Sequence, residues 1–273
     1  MKQGLTVFPT ENGLHPAELA RLAEDRGFES LFFPEHSHMP VRYTYPAWNP
    51  TGELIGPHYA RVLEPFVALA AAAAATKRLN LGTGICLVAQ RDPIQTAKTV
   101  ASLDWVSGGR FLFGVAPGWN LEEMANHRYD FATRFSRTQE AIEAMKTIWA
   151  NDVATHHGRH FSFDQIESWP KPVRHPHPPV LLGGAGASIV ARVLAFADEW
   201  LAEPEEGLER RVDELLRASE QTAREIRVTL FGAPPGSSDR WGSAGVHRCV
   251  YWLTPGDAQR QRREVDALAQ DIA

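Results

Sequence analysis

Residues 79–119 read LNLGTGICLVAQRDPIQTAKTVASLDWVSGGRFLFGVAPGW. Two short apolar runs, Leu79 to Leu87 and Arg110 to Ala116, flank an amphipathic segment that opens after Asp92-Pro93. An acid followed by proline is a helix-start signal, and short apolar runs bounded by turn residues read as strands. The stretch is therefore one β-α-β unit. Each strand runs out into glycine or proline: Gly82-Thr83-Gly84 in the first, Pro117-Gly118-Trp119 after the second. In α/β proteins the carboxyl ends of parallel strands are where ligands bind. Glycines there let a flat ligand approach the backbone where a Cβ would collide, so a site is expected at these ends.

The same alternation continues on both sides. Gly4 to Phe8 is a strand, His15 to Arg26 a helix stopped by Gly27, and Ser30 to Pro34 a strand whose unbroken apolar run fits burial on both faces. His36 to Arg61 is rich in Pro, Tyr, Gly and His and shows no period, which makes it a long loop, either functional or disordered. Leu63 to Thr76 is a helix whose alanine run, Ala70 to Ala75, predicts close packing on a neighbour. Asn120 to Ala150 is largely helical, with Ile142, Met145, Ile148 and Trp149 facing a core. Thr155 to Pro178 is an excursion with a hairpin at His160 to Phe163. Pro179 to Leu182, Asp198 to Ala202, Ile226 to Phe231 and Arg248 to Leu253 supply the last strands. Helices fall at Ser188 to Phe196, Leu208 to Arg224 and after Gly256.

The strand count is eight, with no obvious linker over the 273 residues. That predicts a single α/β domain, a (β/α)8 TIM barrel with a long loop after strand 2 and an insertion between strands 4 and 5. A doubly wound open sheet fits the local pattern too; the count favours the barrel.

Hydrophobic residues at 44%, charged residues at 22% and a net charge of -5 are ordinary for a soluble globular protein, and no basic run points to nucleic acid. Two cysteines, Cys86 and Cys249, make no disulfide framework and read as reduced thiols of a cytoplasmic protein. Strand-like sequence beginning by Gly4 is expected to leave no room for a signal peptide. The longest apolar run, Phe66 to Ala75, falls well short of the ~20 residues a bilayer span needs.

Four places carry chemistry. Gly183-Gly184-Ala185-Gly186 follows a buried strand and opens a helix, where backbone N–H groups and the dipole form an anion site; phosphate binding and a plain tight turn both fit. Glu35-His36-Ser37-His38 follows the second strand, at the face where barrel enzymes place catalytic groups, and histidine titrates near neutrality. A metal pair at His36 and His38 lacks further ligands at the other strand ends, and His156, His157, His160, His175 and His177 read as solvated loop histidines, so no metal is assigned. Trp119 can wall a ring-shaped ligand or pack in a core. Tyr43, Tyr45, Trp48, His58 and Tyr59 put aromatics on the long loop, as in a lid that excludes water or a cover for apolar surface.

With GLTVFPT, ELARLAEDRGFESLFFPEHSH, RLNLGTGICLVAQRDPIQTAKTVASLDWVSGGRFLFGVAPGWN, WPKPV and PPVLLGGAG, the chain resembles the luciferase-like monooxygenase family, above all its branch using the deazaflavin F420. The resemblance implies a ring across the barrel mouth, backed at Gly84-Ile85, often through a non-prolyl cis peptide. It implies a catalytic role for His36 and Glu35, a cavity wall at Gly118 and Trp119, and the cofactor's phosphate at Gly183, Gly184, Ala185 and Gly186. Ala116-Pro117 departs from the family's common Gly-x-Gly-Trp, and Pro117 offers no N–H to a cofactor tail. Trp119 also stands where some deazaflavin dehydrogenases place a glutamate, which argues against a sugar-phosphate substrate. The expected activity is hydride transfer between F420 and a small organic substrate. The alternatives are an FMN-dependent monooxygenase supplied by a separate reductase and, more distantly, a non-catalytic flavin-binding protein. Kinship further implies a homodimer.

Overall fold

The computed structural model describes residues 1–46, 49, 51–222 and 224–272. The chain begins with β1 (Lys2–Thr6), α1 (Pro16–Asp25) and β2 (Ser30–Phe33). After the long loop come a single turn, α2 (His58–Arg61), then α3 (Pro65–Ala75), β3 (Asn80–Thr83), α4 (Pro93–Ser107) and β4 (Phe111–Val115). Next are α5 (Leu121–Asn126), α6 (Arg134–Ala150) and the hairpin of β5 (Val153–His157) and β6 (Ser162–Glu167). The chain closes with β7 (Val180–Gly183), α7 (Ile189–Phe196), β8 (Glu199–Ala202), α8 (Leu208–Glu220), β9 (Arg227–Phe231), α9 (Ser238–Ser243), β10 (Arg248–Trp252) and α10 (Ala258–Leu268).

Local chemistry sets these boundaries. Asp92 caps α4 by accepting from the Gln95 N–H at 2.8 Å, Pro93 supplies the first helical φ, and Gly108 ends the helix in the left-handed region at φ 67°. Glu64-Pro65 opens α3 in the same way. The alanine run of α3 allows close packing on α1, as expected, with Ala68, Ala72 and Ala73 buried.

Eight parallel strands close in the order β1-β10-β9-β8-β7-β4-β3-β2, a TIM barrel, and β5-β6 form the separate hairpin of the insertion. The hairpin is wider than the sequence suggests, and its turn is held to α6 by Glu140, which accepts from the backbone N–H groups of His160 at 2.8 Å and Phe161 at 2.7 Å. Among the described residues no helix is long and apolar enough to cross a membrane.

The strands lack alternation because both faces are buried. Inside the barrel Phe32, Leu112, Leu181, Leu201, Phe231 and Val250 form one cluster, topped by Ile85. Outside it, alternating strand residues such as Leu31, Phe33, Phe111, Phe113 and Val180 pack on the helices through Leu69, Val100, Ile142 and Met145. The small residues at strand ends serve this interior. A Cβ on Gly82 would collide with the Phe32 ring, and one on Gly84 would lie 2.6 Å from the Phe231 ring. The space left by the missing Cβ atoms of Gly82 and Gly84 is taken by core phenylalanines.

The amino-terminal end is sealed by charge. Arg248, only 2% exposed, donates to Glu199 Oε1 and Thr229 Oγ1, both at 2.8 Å, and to Glu29 Oε2 at 2.8 Å and Oε1 at 3.1 Å. Burial alone would raise the Glu29 carboxyl, but the hydrogen bonds and charge of Arg248 outweigh it and hold it down at about 2. A carboxyl depressed in the fold stabilises above its unfolded pKa, and that contribution disappears as pH falls through the folded one. Resistance to urea is thus expected to weaken progressively between pH 4.5 and about 2, losing on the order of 3 kcal/mol from this group at ~1.4 kcal/mol per pH unit. A Glu29→Gln variant should show a flatter stability profile across that window, and an unchanged profile would remove Glu29 as its source.

Candidate active site

The inward rows of the barrel continue past its strands into the mouth. On β8 the row is Glu199, Leu201, Glu203; on β10 it is Arg248, Val250, Trp252, because side chains alternate with period two. His36 stands four residues beyond the interior Phe32 of β2, and Phe8 leaves the end of β1 to stack on Trp252 with ring centroids 5.5 Å apart.

His36 and Glu123 form the polar centre. Nδ1 of His36 lies 2.8 Å from Glu123 Oε2, with the side chains 5% and 0% exposed. Glu123 sits in the first turn of α5, whose cap Asn120 accepts from the Glu123 N–H at 2.8 Å. The Ser37 N–H donates to the other carboxylate oxygen at 3.0 Å. Burial would raise the Glu123 carboxyl, yet the hydrogen bond and charge of His36 hold it below the usual carboxylate range. With Nδ1 committed, Nε2 is the nitrogen left to meet a ligand. The His36 ring faces Tyr59 and Trp119, at 5.2 and 5.6 Å between centroids.

Glu35 is engaged elsewhere. Its carboxylate accepts from the Leu87 N–H and from Arg91 Nε, each at 2.7 Å, and Arg91 also reaches Glu64. It ties the segment after β3 to the end of β2. That segment holds the Gly84-Ile85 peptide, which is cis, and Ile85 caps the interior cluster.

A cavity of about 500 Å³ opens between the β4 and β7 loops. Pro117, Gly118 and Trp119 line one side, Gly183, Gly184 and Ala185 another, and Thr44 and Tyr45 of the long loop close over it. Gly186 lies just beyond with φ 92°, and α7 begins at Ile189, so the glycine turn precedes the helix by a few residues. Two arginines face this space. The Arg134 guanidinium stacks 3.8 Å above the Phe131 ring, and that of Arg192 3.8 Å above Phe135, which Arg134 also covers at 4.4 Å. Among the described residues no carboxylate pairs with either. Burial and the neighbouring Arg192 charge both depress the Arg134 pKa. Two like charges held together with no carboxylate partner among the described residues make this part of the cavity strongly positive.

Aromatics of the long loop do gather here. Tyr59 packs on Phe8 at 4.5 Å, and Tyr43 meets Tyr45 and Trp119 edge-on at 5.2 and 6.0 Å. Trp48 lies outside the described residues. Burial, with Glu203 and Tyr43 nearby, raises the Tyr59 phenol to about 12, so it stays protonated.

The remaining histidines are scattered. His38 joins Ser37 and Asn126, while His156 and His177 are largely buried against Phe163 and Trp149 rather than solvated. Among the described residues no group of three or more His, Cys, Asp or Glu is placed to hold a metal. The sequence reading missed Glu123, Arg134, Arg192 and Glu203. Only Glu123 carries a local signal, the Asn120-x-x-Glu123 helix start.

The architecture is a parallel (β/α)8 barrel with an arginine-lined cavity and an aromatic, histidine-bearing mouth at the carboxyl ends of its strands. The family described as luciferase-like monooxygenase matches residues 10–238, and the chain belongs to it. An uncharacterized protein of Mycobacterium tuberculosis is 34% identical over all of this chain and 99% of its own length. An F420-dependent glucose-6-phosphate dehydrogenase of Intrasporangium calvum is 26% identical over 92% of this chain and 75% of its own. An FMNH(2)-dependent dimethylsulfone monooxygenase of Pseudomonas putida is 27% identical over 77% of this chain and 55% of its own. The solved F420-dependent secondary alcohol dehydrogenase shares the fold, with a TM-score of 0.74 at 15% identity over 100% of this chain and 99% of that one.

Proposed function

We propose that this chain, as one domain over residues 1–273, is an oxidoreductase that binds F420 and exchanges a hydride with a small organic substrate. The carrying observation is the Arg134–Arg192 pair, without a carboxylate partner among the described residues, in the lining of a 500 Å³ cavity shared with Trp119 and Gly183. An F420 tail bears carboxylates beyond its phosphate, and two guanidiniums suit more than one anionic group. When bound, the cofactor supplies or accepts the hydride. The residues of this chain do the rest. Arg134, Arg192 and the Gly183 to Gly186 turn hold the tail; Gly84, Ile85, Gly118 and Trp119 bound the ring's space; Tyr43 and Tyr59 exclude water. His36, oriented by Glu123, moves a proton at Nε2, and Glu35 acts through the turn it holds.

Titration of the purified protein with F420 and with FMN tests the choice. Tight FMN binding without F420 affinity would replace the reading by an FMN-dependent monooxygenase fed by a separate reductase, the reading favoured by the dimethylsulfone monooxygenase relative. An Arg192→Gln change is expected to weaken F420 about tenfold, one charge-assisted contact at ~1.5 kcal/mol, and to flatten the salt dependence of binding. Equal affinities would sink the assignment of the tail to this cavity.

The proposal includes a cytoplasmic homodimer. Cys86 and Cys249 are free, buried thiols, fitting a reducing compartment. Val67 on α3 and Ile94, Trp105 and Val106 on α4 are exposed apolar side chains that a second copy would cover. Sedimentation equilibrium checks the dimer.

A further inference from the structure

The side of the mouth away from the glycine-lined cavity has chemistry of its own. Glu203 follows β8 and extends its inward row above Leu201. Among the described residues its carboxylate makes no hydrogen bond and no ion pair. Its neighbour Glu205 is different, being paired with Arg211. Around Glu203 the wall is aromatic. After burial, the Glu203 charge helps to raise the Tyr59 phenol, Phe8 packs on Tyr59 at 4.5 Å and on Trp252 at 5.5 Å, and Trp252 remains 44% exposed. The backbone at Gly232 draws this wall together, since a Cβ there would lie 3.0 Å from Trp252 Nε1 and 3.8 Å from Pro204.

Among the described residues no cation pairs with Glu203; the nearby Arg211 is held by Glu205. Elsewhere this fold stacks guanidiniums on its rings, over Phe131, Phe135, Tyr129 and Trp200. Among the described residues none stacks on Phe8, Tyr59 or Trp252. Burial depresses the pKa of the nearby His58 and so disfavours its charged form, His36 is engaged with Glu123, and Arg91 is consumed by Glu35 and Glu64. Glu203 is exposed at the rim, and partial desolvation by the surrounding protein together with the Glu205 charge raises its carboxyl. A carboxylate beside electron-rich ring faces is the recognition chemistry of an organic cation.

We propose that this half of the mouth recognises the substrate through a positive charge: the substrate is a small organic cation, a quaternary or protonated amine, seated against Glu203 and the faces of Tyr59 and Trp252. The proposal names the substrate class of the oxidoreductase inferred above and rests on that reading for its catalytic meaning, though not for binding.

Tetramethylammonium and tert-butanol, similar in shape and differing in charge, provide the test by calorimetry or ligand-observed NMR on the full chain. Tetramethylammonium is expected to bind at least about tenfold more tightly than the alcohol, as one ring-face contact plus one ion contact of ~1 kcal/mol each would give. Glu203→Gln and Trp252→Leu should each remove most of that preference, and Glu205→Gln should keep it. Equal affinity for the two probes, or a preference that Glu203→Gln leaves intact, overturns the proposal. F420 and FMN titrations of the same samples separate the two failures. A protein that binds the cation but neither cofactor contradicts the proposed function alone, whereas one that binds a cofactor without discriminating the probes contradicts the cation site alone.

Discussion

A His36→Ala variant is expected to lose about 10²- to 10⁴-fold in kcat, the usual share of a positioned proton-transfer group, while its cofactor affinity stays within a few-fold of the parent. The separation follows from the geometry. His36 faces Tyr59 and Trp119 and is not among the residues lining the cavity between the β4 and β7 loops, whereas Arg134 and Arg192 line it. Glu123→Gln should lower kcat in the same direction by less, about 10- to 100-fold, because the amide keeps a hydrogen-bond acceptor near Nδ1 but gives up the charge that favours imidazolium. Glu123 acts through His36, so combining the two changes should cost no more than His36→Ala alone. Steady-state kinetics with cofactor binding measured in parallel decides the matter. Unimpaired turnover in His36→Ala removes it from proton transfer, and additive losses in the double variant would show that Glu123 serves only the fold of α5.

At the opposite end of the barrel, Arg248→Leu is expected to cost about 3–5 kcal/mol of stability, the loss typical of removing one partner from a buried ion pair. Leucine fills the volume but leaves Glu29 and Glu199 facing each other across the barrel floor with no counter-charge. Arg248→Lys should recover part of it, since one ammonium cannot reproduce four donated hydrogen bonds in a fixed fork. Adding Glu199→Gln to Arg248→Leu should restore some stability by deleting one of the orphaned charges. Urea unfolding of the parent and the three variants measures these differences. A loss below about 1 kcal/mol for Arg248→Leu would mean that the floor is hydrated and its charges screened.

Much of the architecture is legible in the chain because strands and helices are written locally. Asp92-Pro93, Gly108 and the apolar runs on either side state where each element starts and stops, and the unbroken SLFF of β2 already says that both its faces are covered. The candidate site is legible only where position along one strand or turn suffices. His36 follows β2 and so reaches the carboxyl-end face, and Gly183, Gly184 and Ala185 lie where β7 ends and so line the cavity. At Gly82 and Gly84 the sequence marks a small residue without naming what fills the space beside it. Their missing Cβ atoms make room for Phe32 and Phe231, and only a neighbour's position can say which partner a glycine accommodates.

By itself, then, the sequence determined the alternation of eight inward-closing strands with helices and the loops that crown them, since those depend on periodicity, caps and turns a few residues long. Tertiary structure alone decided the chemistry of the mouth. Barrel closure through β1 and β10 brings Phe8 onto Trp252, sets Glu123 against His36 across 87 positions of chain, and leaves Arg134 and Arg192 over one phenylalanine ring. No local period encodes such pairs, because what joins them is distance through space after closure.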